Sequence, residues 1–389
     1  VLRYADVANA RLIAARAVID LRNLAGQVRT VSLSAAWTAA DMRLAARLTL
    51  EDGPARDILA AATAPRGPQL LSIVPDNAES AEWSAWPPEM LGAIQNGIGQ
   101  ILTASLDSAS GQDVRNTLEK TAAAIRAMEP EEVLSIRLPA ADGAQASPAA
   151  TVCQLRKPAA FAGALDAVLA LGAPSSSIRQ VLEQRGLVLT VEKKSDAALA
   201  GALCITVTLR KRIADNPLQD QTQAILFRRD YGVALLGTRL FLTSGDGQAQ
   251  TLAVLVRAAG TPGRAQPAFE REALAGLPTP VVAGVVRPGW FIRSSSRLLA
   301  GMSEDDDLHD AGSSRREQLA PFMNLRAPGA PWGYVLTTTR AGVLEGTVRM
   351  PQASLRELYD LCLRTLPPEE GSSGSEQTPA APETIKPQQ

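Results

Sequence analysis

The chain contains a single histidine, His309, within the run Glu304-Asp305-Asp306-Asp307-Leu308-His309-Asp310. Carboxylates and imidazole are ligands for hard and borderline cations, so Asp305, Asp307, His309 and Asp310 form a grouping whose residue types suit a metal ion. The run lacks the turn glycine and the closing bidentate glutamate of a calcium loop. A solvated acidic loop is the simpler account, and no metal is assigned. Other chemistry fares worse. There is no G-x-S-x-G elbow, and Ser294-Ser295-Ser296 have no base nearby in sequence. No phosphate loop is present, and Gly237 to Gly247 reads as a hairpin, not a dinucleotide fingerprint. The sequence therefore assigns no catalytic residue and no cofactor, and the expectation is a non-enzymatic protein.

Two groups of residues are candidates for binding. Trp83 and Trp86 stand close together in Trp83-Ser84-Ala85-Trp86-Pro87-Pro88. They can anchor a partner or ligand, or close over the core at the start of a helix. Arg210, Lys211 and Arg212, with Arg228 and Arg229, form a basic patch if their strands pair. Charges at strand ends also solvate an edge and block aggregation, which is the plainer reading. Cys153, Cys204 and Cys362 are far apart, sit among apolar residues and contain no C-x-x-C, so they read as small buried hydrophobes.

Composition narrows the function classes. The 389 residues carry 39 Lys and Arg against 40 Asp and Glu, a net charge of −1, so no global field attracts nucleic acid or an anionic membrane. Aromatic residues make up only 4 %, too few for a surface that stacks bases or sugars. No apolar run reaches the roughly 18 residues that span a bilayer, so no transmembrane segment is expected. The first residue is Val, and the expectation is a processed or trimmed start. If processed, a removed export signal is the natural explanation.

One rhythm recurs in the elements that carry these residues: two alternating strands, a short turn, then an amphipathic helix. The first copy pairs Val28 to Ala36 with Asp41 to Glu51 and opens its helix at Pro54, where a missing amide costs nothing. The second pairs Val133 to Leu138 with Thr151 to Leu155 before a helix from Pro158 bearing Phe161, Leu165, Val168 and Leu169. The third runs Ala224 to Phe227, Gly232 to Leu236 and Arg239 to Thr243 before a helix after Asp246; the fourth pairs Gly333 to Thr339 with Val343 to Met350 before a helix at Pro351. Further helices are expected at 5–24, 88–105, 112–128 and 177–184, and further strands at 187–192 and 203–209. Residues 302–317 and 367–389 have little to bury; the first stretch is expected to be flexible and the second to be a disordered tail.

Three stretches carry a resemblance: Leu71-Ser72-Ile73-Val74-Pro75-Asp76-Asn77-Ala78; Leu155-Arg156-Lys157-Pro158-Ala159-Ala160-Phe161; and Leu235-Leu236-Gly237-Thr238-Arg239-Leu240-Phe241. In these the chain resembles an uncharacterised family of bacterial cell-envelope proteins built from tandem strand-strand-helix units. The resemblance implies a strand at the first stretch, an exported location, periplasmic or extracellular, and a non-enzymatic role; it brings no functional residues.

The expected fold is α+β: antiparallel sheets with helices packed on one face, in repeated ββα units. The expected divisions are an N-terminal helix (1–24), a first α+β domain (25–172), a second (173–366) and a tail (367–389). The expected role is a scaffold or interaction protein of the bacterial envelope, acting through a protein partner or self-association. Alternatives are a carrier of an apolar small molecule or lipid in a cavity between sheet and helices, and an enzyme without a recognisable motif.

Overall fold

The computed structural model describes residues 26–53, 56, 69–85, 108–139, 147–195, 201–211, 224–261, 268–277, 280–290, 292–293, 296, 330–338 and 342–365. The helices expected at 5–24 and 88–105, the start of the first helix at Pro54, the acidic loop at 302–317 and the tail lie outside these residues.

Twelve strands are described: β1 (Val28–Trp37), β2 (Asp41–Leu50), β3 (Ser80–Ala85), β4 (Pro130–Arg137), β5 (Ala149–Leu155), β6 (Leu187–Ser195), β7 (Leu203–Lys211), β8 (Ala224–Leu236), β9 (Arg239–Ser244), β10 (Val282–Val286), β11 (Trp332–Thr338) and β12 (Val343–Pro351). They form one antiparallel sheet in the order β1-β2-β12-β11-β10-β3-β4-β5-β9-β8-β7-β6. Six α-helices are described with them: α1 (Ser108–Arg126), α2 (Phe161–Ala170), α3 (Ser177–Gln184), α4 (Gln248–Ala259), α5 (Ala268–Leu274) and α6 (Gln352–Thr365). The architecture is α+β and mostly sheet.

Local chemistry explains the hairpins. Between β1 and β2, Thr38 folds the chain on itself: its Oγ1 accepts from the amides of Ala40 and Asp41 and donates to the Asp41 carboxylate. Between β8 and β9 the turn uses Gly237 at φ 59°, a left-handed conformation that glycine adopts without a Cβ penalty. The third expected unit is simpler than its sequence suggests, because 224–236 is one strand of 13 residues. The strand implied at 71–74 is instead part of a 3₁₀ helix, Gln69–Ile73, whose Leu70, Leu71 and Ile73 are each 1 % exposed.

The sheet joins distant parts of the chain. Strands β2 and β12, β3 and β10, and β5 and β9 pair, each joining a residue before 172 to one after it. In the first and last of these junctions, the second strand of one hairpin lies beside the second strand of another.

Helices lie on both faces of the sheet's centre, which corrects the expectation of one covered face. Val152 and Cys153 are neighbours in β5 but belong to separate apolar clusters. Val152 packs with Trp83, Leu134, Phe241 and, from α4, Leu252 and Leu255. Cys153 packs with Leu155, Leu240, Val233 and, from α2, Ala164 and Phe161. Successive side chains of a strand point to opposite faces, so the two clusters lie on opposite sides. The physical reason is visible in β9, where Leu240, Phe241 and Leu242 are all apolar and each face needs a cover. On the α4 side, α5 approaches so closely that a Cβ on Gly333 would strike the carbonyl of Ala273.

Candidate functional site

The side of the sheet under α1 and α2 holds a cavity of about 580 Å³. Its floor is built from β4, β5, β9, β8 and β7, with Val133, Cys153, Leu155, Leu240, Leu242, Val233, Ile205 and Val207 pointing into it. Its roof is Ile125 and Met128 at the end of α1 and Phe161, Ala164, Leu165 and Val168 of α2. The α2 positions recur at threes and fours, which puts them on one helical stripe.

The roof is fixed to the floor by backbone. Glu129 takes a left-handed φ of 48°, ends α1 and turns the chain directly into β4. There the Glu129 and Met128 carbonyls accept from the amides of Arg156 and Lys157, at the exit of β5, at 3.0 Å each. Lys157 Nζ also meets Glu129 Oε1 at 2.5 Å, and this ion pair holds the Glu129 carboxyl below its usual range. Helix α3 braces α1, since Ser177 Oγ donates to the Asp113 carbonyl at 3.0 Å and lies 2.8 Å from Thr117 Oγ1.

Lining residues run from Ala149 to Leu155 along β5, six residue steps, so the cavity is elongated by about 20 Å. Polar side chains are few and stand towards the ends. Arg126 is at the Met128 end, and it is engaged within the chain. Thr151, Tyr231, Thr243 and Ser244 are at the other. Thr243 Oγ1 is committed to the Gln248 carbonyl at 2.9 Å. Burial pushes the Cys153 thiol up to about 11, so it stays a neutral wall group at physiological pH.

The same side of the sheet continues over β10, β11, β12, β2 and β1. There it is a shallow concavity of about 490 Å³, lined by residues that include Leu33, Ala35, Leu44, Leu336 and Val348. On its outermost strands Leu33 is 78 % exposed, Trp37 63 % and Val31 60 %. Between the two apolar regions runs a polar seam: Tyr334 donates its hydroxyl to Glu82, and burial with this contact raises the phenol strongly. Gly284 leaves the space that the Tyr334 ring fills.

Among the described residues, the candidate binding residues do not line the cavity, although Arg229, opposite the lining Val207, lies on its face of the sheet. Trp83 is wholly enclosed on the α4 side, with Nε1 donating to Glu132 Oε2 at 3.0 Å, and presents no surface to a partner. Strands β7 and β8 do pair, yet Arg228 lies opposite Thr208 and Arg229 opposite Val207, so the two arginines point to opposite faces. Arg210 is opposite Val188 on the Arg228 side, and Arg228 lies 4.0 Å from Asp230. Trp86, Arg212, Asp305, Asp307, His309 and Asp310 lie outside the described residues. Among the described residues no group of three or more His, Cys, Asp or Glu could hold a metal ion, and no helix is long and apolar enough to cross a membrane. The cavity's floor and roof are legible in the sequence as elements, but their meeting is not. The available signal was the unbroken apolar runs Leu240-Phe241-Leu242 and Val233-Ala234-Leu235-Leu236.

Comparison with protein-family models found no matching family, and comparison with curated proteins and with solved structures found no similar chain.

Proposed function

We propose that this chain is a binding protein that carries an apolar small molecule or lipid in the cavity between its sheet and the helices α1 and α2. One observation carries the reading: a cavity of about 580 Å³ with an almost wholly apolar lining. That volume lies within the range of about 300 to 1,000 Å³ typical of small-molecule sites. An apolar lining gains free energy from covering hydrocarbon, at roughly 25 cal/mol per Å² removed from water. Nothing in the lining is arranged for bond making, so the reading is of binding without catalysis. An envelope location belongs to the same proposal, through the resemblance of the sequence to tandem-unit envelope proteins. So does descent from repeated strand-strand-helix units, which is supported by the matching junctions of β2 with β12 and β5 with β9. The test is native mass spectrometry of the protein isolated from its own host, compared with its denatured mass. Extra mass of a lipid-sized molecule, lost on denaturation, is expected. The bare chain mass, together with no binding of added apolar probes, would overturn the reading.

A second reading, a scaffold acting through self-association or a protein partner, is favoured by β1. This edge strand exposes Val31, Leu33 and Trp37 and carries only Arg29 as a charge, whereas the opposite edge, β6, carries Glu192, Lys193 and Lys194. Charged edges resist further pairing and uncharged ones invite it. Sedimentation across a range of concentrations distinguishes a fixed monomer from a self-associating chain.

A further inference from the structure

The cavity's two ends differ, and the difference identifies the kind of ligand. On β8, β9, β5 and β4 a single row of side chains runs across the end of the cavity away from Met128; Tyr231, Ser244 and Ala149 line the cavity, and Arg137, which is exposed, stands beside it on the same face. Tyr231 lies opposite Ser244, Ser244 opposite Ala149, and Ala149 opposite Arg137. Directly paired residues share a face and stand about 5 Å apart. The four therefore point to the cavity side over a span of about 15 Å, three strand spacings. Thr151, on the same side, is one pleat inward from Ala149 along β5. Ala149 is small, so the row has a low centre flanked by an arginine on one side and a serine and a tyrosine on the other.

Each of these groups has hydrogen-bonding capacity to offer. Among the described residues, the side chains of Thr151, Tyr231, Ser244 and Arg137 make no hydrogen bond or ion pair, in contrast to Thr243 and Arg126. Inward from this row the floor becomes Leu242, Cys153, Leu240 and Leu155, with no charged side chain until Arg126 at the far end. A long apolar wall ending in hydroxyls and a guanidinium is complementary to a molecule with one extended hydrocarbon tail and an anionic head. A guanidinium presents a fixed fork of donors that matches a carboxylate or phosphate, and hydroxyls add donors beside it.

Resting on the carrier reading, we infer that the cavity takes a single-chain anionic amphiphile. Its tail lies along β5 and β9 toward Leu155, and its headgroup sits above Ala149 between Arg137 and the Ser244–Tyr231 pair. A charge-assisted hydrogen bond is roughly twice as strong as a neutral one. The anionic head is thus favoured over a neutral one by about tenfold or more.

The experiment titrates the full chain with hexadecanoate and with hexadecan-1-ol, which share a tail and differ in the charge of the head, by displacement of an apolar fluorescent probe. Hexadecanoate is expected to bind about tenfold tighter, and Arg137→Ala is expected to remove most of that difference. Arg137→Gln, which keeps a polar, hydrogen-bonding side chain without the charge, should behave as Arg137→Ala does. Equal affinities for the two probes in the wild type, or a difference that survives both substitutions, overturn the headgroup assignment while leaving the carrier reading in place. Binding of neither probe removes the carrier reading and this inference together.

Discussion

One side of the same sheet is finished in two ways. Over β5, β9 and β8 its apolar side chains lie under α1 and α2, and Leu240 and Val233 are 5 % and 2 % exposed. Over β1 and β2 the corresponding side chains face outward, with Leu33 at 78 % and Leu44 at 40 %. The roofed strands β8 and β9 carry unbroken apolar runs, whereas β1 alternates apolar with polar residues, so the strands that need a cover on both faces are the ones that receive it. In the roofed region the left-handed Glu129 and the amides of Arg156 and Lys157 tie α1 to the ends of β4 and β5.

The largest test of this contrast is energetic. Leu240→Ala removes a buried side chain and is expected to cost about 2 to 5 kcal/mol, toward the low end because it already borders a void. Leu33→Ala should cost within about 0.5 kcal/mol, as exposed positions do. Urea unfolding of the two variants measures both. Equal losses would mean that the β1 surface is covered in solution, and the contrast between the regions would fail.

Next in size is occupation of the roofed cavity. Ala164→Phe projects from α2 into it, whereas Ala46→Phe adds the same ring to β2 on the open side. The first is expected to weaken binding of an apolar fluorescent probe by about tenfold or more and the second to leave it within about twofold. The reverse pattern would move the ligand site to the open concavity.

A smaller effect is expected from the open edge. Val31→Lys and Leu33→Lys place charges on β1 like those already on β6, so any concentration-dependent association measured by sedimentation should weaken. Loss of thermal stability without a change in association would instead make these residues part of the fold's own packing.

Much of the sheet was legible in the sequence because hairpins are local. The alternation through Leu203, Ile205, Val207 and Leu209 and the turn at Gly237-Thr238 each lie within a few residues. Strands β3 and β10 were missed. Each is short, and β10 is a nearly continuous apolar run, Val282-Ala283-Gly284-Val285-Val286, without the alternation that marks a strand with one wet side. The cavity was legible only as a class of possibility. It depends on β5 meeting β9 across more than 80 residues of chain, as in the pairing of Val152 with Phe241. Short-range periodicity carries no information about such a meeting. Trp83 drew attention by its residue type and proximity to Trp86, yet its place is set by Leu134 and Ala283, which are its cross-strand neighbours in the core.

The smallest expected effect concerns how the open region is held from its other side. Arg349 Nε donates to Asp41 Oδ2 at 2.6 Å and joins β12 to the start of β2, and Arg349 also donates to the carbonyls of Glu272 and Ala275 at the end of α5. The Arg349 hydrogen bond is the main cause holding the Asp41 carboxyl below its usual range; burial opposes it, and Thr38 and Arg43 assist. A carboxyl whose folded pKa lies below its unfolded value adds stability that is present above the unfolded value, about pH 4, and is lost as pH falls through the folded one. The stability gap between wild type and Asp41→Asn should therefore be largest near neutral pH and shrink in acid. Because burial offsets part of the lowering, the charge-dependent part of the gap should be the smallest of these effects. A gap that stays constant from neutral to acid would make the Asp41–Arg349 contact a matter of shape and hydrogen bonding alone, and the open region would then owe its support to α5 packing on Gly333.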